Sequence, residues 1–462
     1  MLTIKKNIQP FFFLNLLLAL YPLAYTLGNL AINLLTVVII IFSLYKFRGK
    51  ILPSENKNLS ISLICFFFYL ILVTFFSYWF AEKETENFLN NFWKSLLYLR
   101  YLFLFFIVSI MMEKGYLNLK YFFISAASLS FILGIDLIVQ YNLGIDLFGF
   151  EQPEQLGKRR YSGFFGDELI AGGYLYRFSF FAIFFFCFKK LIKKNQIYLY
   201  FSVAFIFFLI SIFISGNRMP LMLFIFSIFI FSILERKLRY VSVPIVFLLT
   251  LISVSIIKTD FKILPGEYKN SVSSFYNKSS EIILRSKDII AYNPIYQHEM
   301  IYKDEKKDEF QEATKNKIEF KSGHLKIFNA GITTWKQNKI FGGGLRSFRI
   351  NCEFKFNVYC AQHSHNYYTE ILINTGVVGL LLFLIIGFFS LKNFFNLYFN
   401  QNLIFKQRCV LIPFFLVIIS EFMPIRSAGN FFSTFNSTIF FIFLAVVANA
   451  KRDNTIIDHM KL

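Results

Sequence analysis

Apolar runs about as long as a bilayer is thick recur along this chain, separated by short breaks rich in lysine, arginine and asparagine. Leu59 to Ala81, Leu119 to Tyr141 and Tyr367 to Ser390 are the clearest. Each meets the roughly 20 residues that a helix needs to cross the hydrocarbon core. The pattern predicts spans near 10–28, 30–45, 59–81, 96–112, 119–141, 171–188, 197–215, 219–234, 241–257, 367–390, 409–424 and 432–449. The expected fold is therefore an all-α polytopic membrane protein of about twelve transmembrane helices. The first run, Phe11 to Leu20 behind Lys5 and Lys6, has the outline of a signal peptide. No small-residue cleavage site follows it, and a second apolar run comes at once, so a retained helix is expected.

The breaks fix an orientation. With the N-terminus in the cytoplasm, the inner segments receive Lys46, Arg48, Lys50 and Lys57; Lys189, Lys190, Lys193 and Lys194; Arg236, Lys237 and Arg239; Lys392, Lys406 and Arg408; and Lys451 and Arg452. Roughly 21 lysines and arginines then lie inside against about 7 in the short outer loops, as the positive-inside rule demands. The even number of spans returns the C-terminus to the cytoplasm. Three outer segments stand out: Asn142 to Ile170, the turn Ser215-Gly216-Asn217-Arg218, and the polar stretch Lys258 to Asn366. The expected organisation is residues 1–257 with transmembrane helices 1–9, one large periplasmic loop over 258–366, and residues 367–462 with helices 10–12. Loops as long as the last are functional or form small domains of their own.

Composition changes the domain count. The 462 residues alone suggest two or three soluble domains, but 56% are hydrophobic, 20% aromatic and only 16% charged. One membrane domain with one extramembrane insertion fits better. The formal charge of +20 invites a nucleic-acid reading. The 34 lysines against 14 arginines follow from a Phe-, Ile-, Lys- and Asn-rich composition, and much of the charge lies in topology-setting loops. No basic stripe with interleaved aromatics sits in a soluble domain, so no nucleic-acid partner is expected.

Within the large loop, Lys303 to Lys317 is a mixed charge run, read as a solvated segment. His324 to Asn338 has helical periodicity, with Leu325, Phe328, Ile332 and Trp335 on one face. Such a helix lies on the bilayer or packs on the bundle. Gly342-Gly343-Gly344 lacks the spacing and the preceding strand of a dinucleotide loop. Of the five cysteines, Cys65, Cys187 and Cys409 fall in or beside spans and read as small apolar residues. Cys352 and Cys360 share the outer loop, where a disulfide is the natural reading in an oxidising compartment. It would brace the approach to His363 and His365. Their spacing is not that of a standard zinc site, and no metal is expected.

Chemistry-bearing residues gather on the outer side. Arginine offers a planar fork to phosphate. In a lysine-biased chain the outward arginines are informative: Arg159, Arg160, Arg218, Arg285, Arg346, Arg349 and Arg426. Arg218, in a tight turn between two apolar helices, is a functional candidate unless it is merely an interfacial anchor. The segment Gln362 to Glu370, running into Asn374-Thr375-Gly376 and Gly379, opens a span. Asn366 or Ser364 would cap that helix. A neutral His365 beside it is able to take a hydroxyl proton, with His363 and Glu370 in support. Gly376 and Gly379 would let a neighbouring helix approach. Arg159 to Glu168, with its glycines and two carboxylates, suggests a folded re-entrant loop. There is no phosphate-binding P-loop, no HExxH and no nucleophile elbow. The energy for any reaction must then come from an activated substrate, and no cofactor is expected.

Taken together, these pieces resemble the O-antigen ligase and polymerase superfamily. The likeness rests on Ser215-Gly216-Asn217-Arg218, the long outer loop, Gly342 to Phe348, and His363-x-His365-Asn366-x-Tyr368 opening a helix with Gly376-x-x-Gly379. Arg160-x-Ser162-Gly163-x-x-Gly166-Asp167-Glu168, with Gly172 and Tyr174, adds to it. The resemblance spans roughly residues 155–390 and implies a GT-C-like membrane glycosyltransferase in the bacterial inner membrane, with its active site on the periplasmic side. It implies metal-independent, inverting transfer of a glycan from a polyprenyl-diphosphate donor. The acceptor would be the lipid A core for a ligase, or another lipid-linked repeat unit for a polymerase. Carried over, Arg218 holds the diphosphate and His365 is the base. Many members have an arginine at the start of the loop helix, where this chain has Gly323-His324. The second diphosphate ligand then falls to Arg285, Arg346 or Arg349, or His324 fills the role. The rival classes are a transporter or flippase, which calls for repeat symmetry and midplane charges, and a non-catalytic assembly partner.

Overall fold

The computed structural model describes residues 11–79, 85–151, 160–188, 194–240, 323–352, 363–400, 403–424, 426 and 429–450. Among these residues the chain is helical throughout, apart from one isolated bridge between Ile145 and Glu151. The predicted span 241–257 and most of the loop 258–366 lie outside the described residues.

Among the described residues, seven helices are long and apolar enough to cross a membrane: Asn29–Lys46, Lys57–Ser77, Leu89–Glu113, Leu119–Leu143, Ala171–Phe188, Gln196–Ile214 and Tyr367–Phe399. Phe12–Leu27, Arg218–Leu234 and Thr434–Asn449 are shorter apolar helices. The protein is a polytopic membrane protein. Several predicted spans change shape. The first is two helices, α1 (Phe12–Ala19) and α2 (Tyr21–Leu27), with Pro22 in the first turn of the second. Proline is tolerated there because its missing N–H has no helical partner to lose. The second is α3 (Asn29–Lys46), and α4 follows over Lys57–Trp79. The predicted span 96–112 starts earlier, as α5 (Thr85–Tyr98) running into α6 (Arg100–Glu113). Next come α7 (Leu119–Leu143), α8 (Ala171–Ile183), α9 (Lys194–Ile214) and α10 (Arg218–Leu234). From the large loop come α11 (Gly323–Gln337) and the short α12 (Ser347–Asn351). The chain closes with α13 (Tyr367–Asn400), α14 (Phe405–Glu421) and α15 (Thr434–Asn449).

Phenylalanine fills the core. Phe122 of α7, Phe181 of α8, Phe414 of α14 and Phe443 of α15 meet edge to face or tilted, with ring centroids 4.8–5.9 Å apart. This geometry suits the ring quadrupole. Helix α13 packs between α4 and α15, and α8 packs against α7, α9, α10 and α14. Outward faces stay apolar, as at Leu30, Leu34 and Ile41 of α3, which is what lipid contact requires.

Helix α13 is broken near its start. Gly376 adopts φ +63° and ψ −167°, and so interrupts the ladder. The backbone groups freed by the break are taken up by the glycine run. The Gly343 and Gly344 amides donate to the carbonyls of Ile373 and Asn374, at 2.8 and 2.9 Å. The Val377 and Val378 amides donate to the carbonyls of Lys339 and Ile340, at 3.0 and 3.2 Å. Non-helical backbone at membrane depth survives only where such partners exist. The expectation that Gly376 and Gly379 admit a neighbouring helix is therefore corrected. Gly376 admits the loop 340–342, and the space at Gly379 is filled by Thr375 of its own helix.

The loop helix α11 packs on α13. Its buried positions are Ala330, Gly331 and Thr334, whereas Phe328 and Ile332 are half-buried. The expected Leu325–Phe328–Ile332–Trp335 stripe is thus offset. Gly331 brings the helix down on Ser364 and Thr369, a close approach that a face of large side chains would prevent. Ala330, Phe348, Cys352 and Ile373 form a small core beneath it, with Ile327 and Trp335 packed alongside.

Candidate active site

The start of α13 is built by its own polar side chains. Asn366 Oδ1 accepts from the Tyr368 and Thr369 amides at 2.9 and 3.1 Å, capping the helix. A cap of this kind contributes about 1 kcal/mol. Buried Glu370, one turn on, accepts from the Ser364 amide and hydroxyl at 3.0 and 3.1 Å. Its other oxygen receives the Asn374 amide group at 3.4 Å, and Asn374 in turn accepts from the Ser347 amide at 3.2 Å. Glu370 thus holds the turn 363–366 in place and links it, through Asn374, to the segment bearing Arg346 and Arg349.

That turn carries the histidines. Their ring centroids lie 4.1 Å apart, and the His365 amide donates to His363 Nδ1 at 3.3 Å. This leaves the neutral His363 ring protonated on Nε2. His365 has φ +57°, in the left-handed region that L-residues rarely occupy. Such backbone strain persists where the surroundings over-determine it, and it concentrates at functional sites. Among the described residues only three other non-glycine residues have positive φ, and one of them is Arg346. Burial, His365 and Arg349 together lower the His363 pKa to about 4. Burial lowers that of His365 as well. Both rings are neutral at neutral pH, the state a proton acceptor needs.

The cations form two groups. Arg349 is near enough to act on His363, and together with Arg346 it faces Lys94 of α5. Sequence reasoning missed Lys94, since an amphipathic stretch before a span gives no sign of what it faces. On the other side, Arg160 meets Arg218: burial and the Arg218 charge pull the Arg160 pKa below its ordinary range. The loop carrying Arg160 is pinned to α7, where Gln140 accepts from the Ser162 and Gly163 amides at 3.1 and 2.9 Å. The Ser215–Asn217 turn packs on Gly172 of α8, where a Cβ would lie 2.5 Å from Ser215 Oγ. Guanidinium forks such as these make charge-assisted pairs with phosphate oxygens.

A buried ion network joins α8, α14 and α15. Glu421, at the end of α14, pairs with Arg177 of α8 at 2.9 Å and with Arg426 in the turn beyond. Tyr176 also donates to Glu421, and Arg177 donates to Asn436 of α15 at 2.7 Å. Arg426 was expected as one more outward arginine, but it is 3% exposed, because it compensates Glu421 rather than facing solvent. Arg177 and Glu421 were missed altogether. The signal for them was a charge inside an apolar run, which marks function by default.

Arg285 and Cys360 lie outside the described residues. His324 falls within α11, but its side chain is not described. Cys352 is disulfide-bonded, whereas Cys65, Cys187 and Cys409 are free.

The O-Antigen ligase family model matches residues 203–384. The matched stretch contains the Arg218 turn, the glycine run, Arg346, Arg349 and the whole histidine turn. No curated protein matches the chain. The ordering of these pieces within an all-helical membrane bundle agrees with that match, and over residues 203–384 the chain is similar to the O-antigen ligase family, whose members are membrane glycosyltransferase-like enzymes.

Proposed function

We propose that this protein transfers a glycan from a polyprenyl-diphosphate donor to an acceptor hydroxyl, as an O-antigen ligase does with the lipid A core, on the periplasmic side of a bacterial inner membrane. The reaction is read as metal-independent and inverting, as the resemblance implies. The observation that carries the proposal is the neutral, strained His365 packed against His363, on which Arg349 acts.

His365 takes the proton from the acceptor hydroxyl. The acceptor oxygen attacks the anomeric carbon from the face opposite the diphosphate, and the bond from that carbon to the phosphate oxygen breaks. The polyprenyl diphosphate leaves with the bonding pair, and one displacement inverts the anomeric centre. Arg218, supported by Arg160, holds the departing charge, with Arg349 or Arg346 as the second ligand. Oriented guanidinium forks stabilise such charge strongly in a dry site. Arg349 is favoured over Arg346 because its charge reaches His363. His363 supports His365, Asn366 caps the helix, and Glu370 orients the turn. The partner of Cys352 in this reading is Cys360.

The transporter reading gains no support. Among the described residues, buried Glu235 and Glu421 lie at helix ends, and buried Arg177, inside α8, is paired with Glu421. The test is gene deletion followed by electrophoresis of the lipopolysaccharide. Free core with accumulating lipid-linked polymer supports the ligase, and core carrying a single repeat unit supports the polymerase. Normal surface polysaccharide with folded Arg218→Ala and His365→Ala proteins would overturn both.

A further inference from the structure

Three consecutive residues at the start of α13 are held by one turn, 422–426. Asn366 Nδ2 donates to the carbonyls of Pro424 and Arg426, at 2.8 and 3.0 Å. With its two cap bonds, the side-chain amide has filled both donors and both acceptor positions. The Arg426 guanidinium lies over the Tyr367 ring, 4.3 Å from its centroid. Tyr368 donates its hydroxyl to the Phe422 carbonyl. His365 comes immediately before this clamp, in a backbone conformation that must be imposed from outside.

What holds the turn is Glu421. The carboxylate ends α14 and binds Arg426, five residues on, together with Arg177 and Tyr176 of α8. Five residues before Arg177, at Gly172, the same helix α8 carries the Ser215–Asn217 turn that leads to Arg218. One carboxylate therefore ties the histidine turn to the helix that seats the arginine turn. Glu421, Arg426, Arg177 and Tyr176 lie outside the stretch 203–384, and the transfer mechanism does not use them.

We infer that Glu421, gripped between Arg177 and Arg426, is a positioning residue that fixes His365 relative to the Arg218 turn through the Asn366 clamp. The kinetic part of this inference rests on the proposed transfer, whereas the geometric part does not. Without the carboxylate, the two guanidinium groups repel, the 422–426 turn shifts, and Asn366 loses the carbonyls that hold it. His365 then relaxes toward an ordinary backbone conformation.

The test uses the purified full-length protein in lipid nanodiscs, with Glu421→Gln, Arg426→Lys and Tyr176→Phe, the last of which keeps every charge. Modification of His365 by diethyl pyrocarbonate, followed by mass spectrometry, reads its exposure directly. We expect a several-fold faster reaction in Glu421→Gln and Arg426→Lys, and a smaller rise in Tyr176→Phe. If Glu421→Gln does not fold, the other two variants carry the test. An unchanged rate in the folded variants overturns the inference whatever the protein catalyses. In the transfer assay, kcat should fall about 10- to 100-fold, the loss expected from a misplaced catalytic group, while the donor KM stays near wild type. In an Asn366→Ala background, Glu421→Gln should add little further loss. A rise in KM alone, or losses that multiply independently, would overturn it. If His365→Ala transfers normally, the proposed reaction fails, and the modification rates still decide whether Glu421 positions the turn.

Discussion

Gly342 and Gly376 meet backbone to backbone: a Cβ on the first would lie 2.4 Å from the amide nitrogen of the second. Both have positive φ, +82° and +63°. Gly376→Ala would suffer twice, because its Cβ would also sit 2.1 Å from the Ile340 carbonyl oxygen. It is expected to cost about 4 kcal/mol or more, the range in which substitutions become diagnostic. Gly28 supplies the control. Its φ is +93°, but nothing lies within 4 Å of its Cβ position. Gly28→Ala should cost only the strain of a backbone conformation essentially reserved for glycine, about 1–3 kcal/mol. Thermal unfolding of the two variants in the same detergent measures the difference. Equal stabilities would mean that the glycine run does not seal the break in α13.

This contact marks where legibility in the sequence ends. The spans were visible because hydropathy is local, and the order of the Arg218 turn, the glycine run and the histidine turn was visible because it is linear. The role of Gly376 was not, since a glycine that breaks a helix looks the same as one that packs a helix. The difference depends on residues 339–344 arriving from elsewhere. The α11 face was misjudged for a related reason. Large apolar residues set the expected stripe, but the small residue Gly331 set the contact. Asn366 was recognised as a cap, and Glu370 as an orienting group, because both act within one turn of their own helix. Arg177 and Glu421 are 244 residues apart in sequence, and nothing in either run names the other.

Arg218 and Arg160 should respond differently to lysine. A guanidinium engages a diphosphate through a planar fork, which an ammonium cannot reproduce. Arg218→Lys should therefore lose about 10²-fold or more in transfer, on the scale of removing one donor to a developing anion. The half-buried Arg160, already repelled by Arg218, should lose less on Arg160→Lys, with the loss appearing mainly in the donor KM. Kinetics with a lipid-linked donor at fixed acceptor concentration separate the two. Equal retention of activity by both variants would remove the arginines from donor binding.

In the proposed reaction the histidines should set the acid side of the pH profile. Burial, His365 and Arg349 place the His363 pKa at about 4, below the ordinary value of 6.5. As pH falls from 6.5 toward 4, the unfolded chain binds a proton that the folded chain refuses, so stability contributed by the neutral ring drains away across that window. Above 6.5 it is fully present. The His365 pKa is lowered too, so transfer should persist below pH 6.5 rather than fall with a half-point there. Arg349→Gln removes one of the charges acting on His363 and should raise its pKa. Histidine resonances followed by NMR titration of selectively labelled protein check that direction. A downward or absent shift would place Arg349 too far from the ring to act on it.

Cys352 is disulfide-bonded, and in the proposed reading its bridge to Cys360 braces the histidine turn. Cys352 is fully buried and shares a small core with Ala330, Phe348 and Ile373, so it fastens α11 and α12 to α13. With Cys360 as its partner, the bridge closes a short loop ending just before His363. Short loops gain least from cross-linking, and about 2 kcal/mol is expected, at the low end of the usual range. Cys352→Ser should lower the unfolding temperature and increase His365 modification, and reduction of the wild-type protein should reproduce both effects. Cys352→Ala should do less harm than Cys352→Ser, because the serine leaves a hydroxyl without a partner in an apolar pocket. A non-reducing peptide map showing Cys352 linked to Cys360 would confirm the pairing. A reduced protein as stable as the oxidised one would confine the bridge to a role outside the fold of this site.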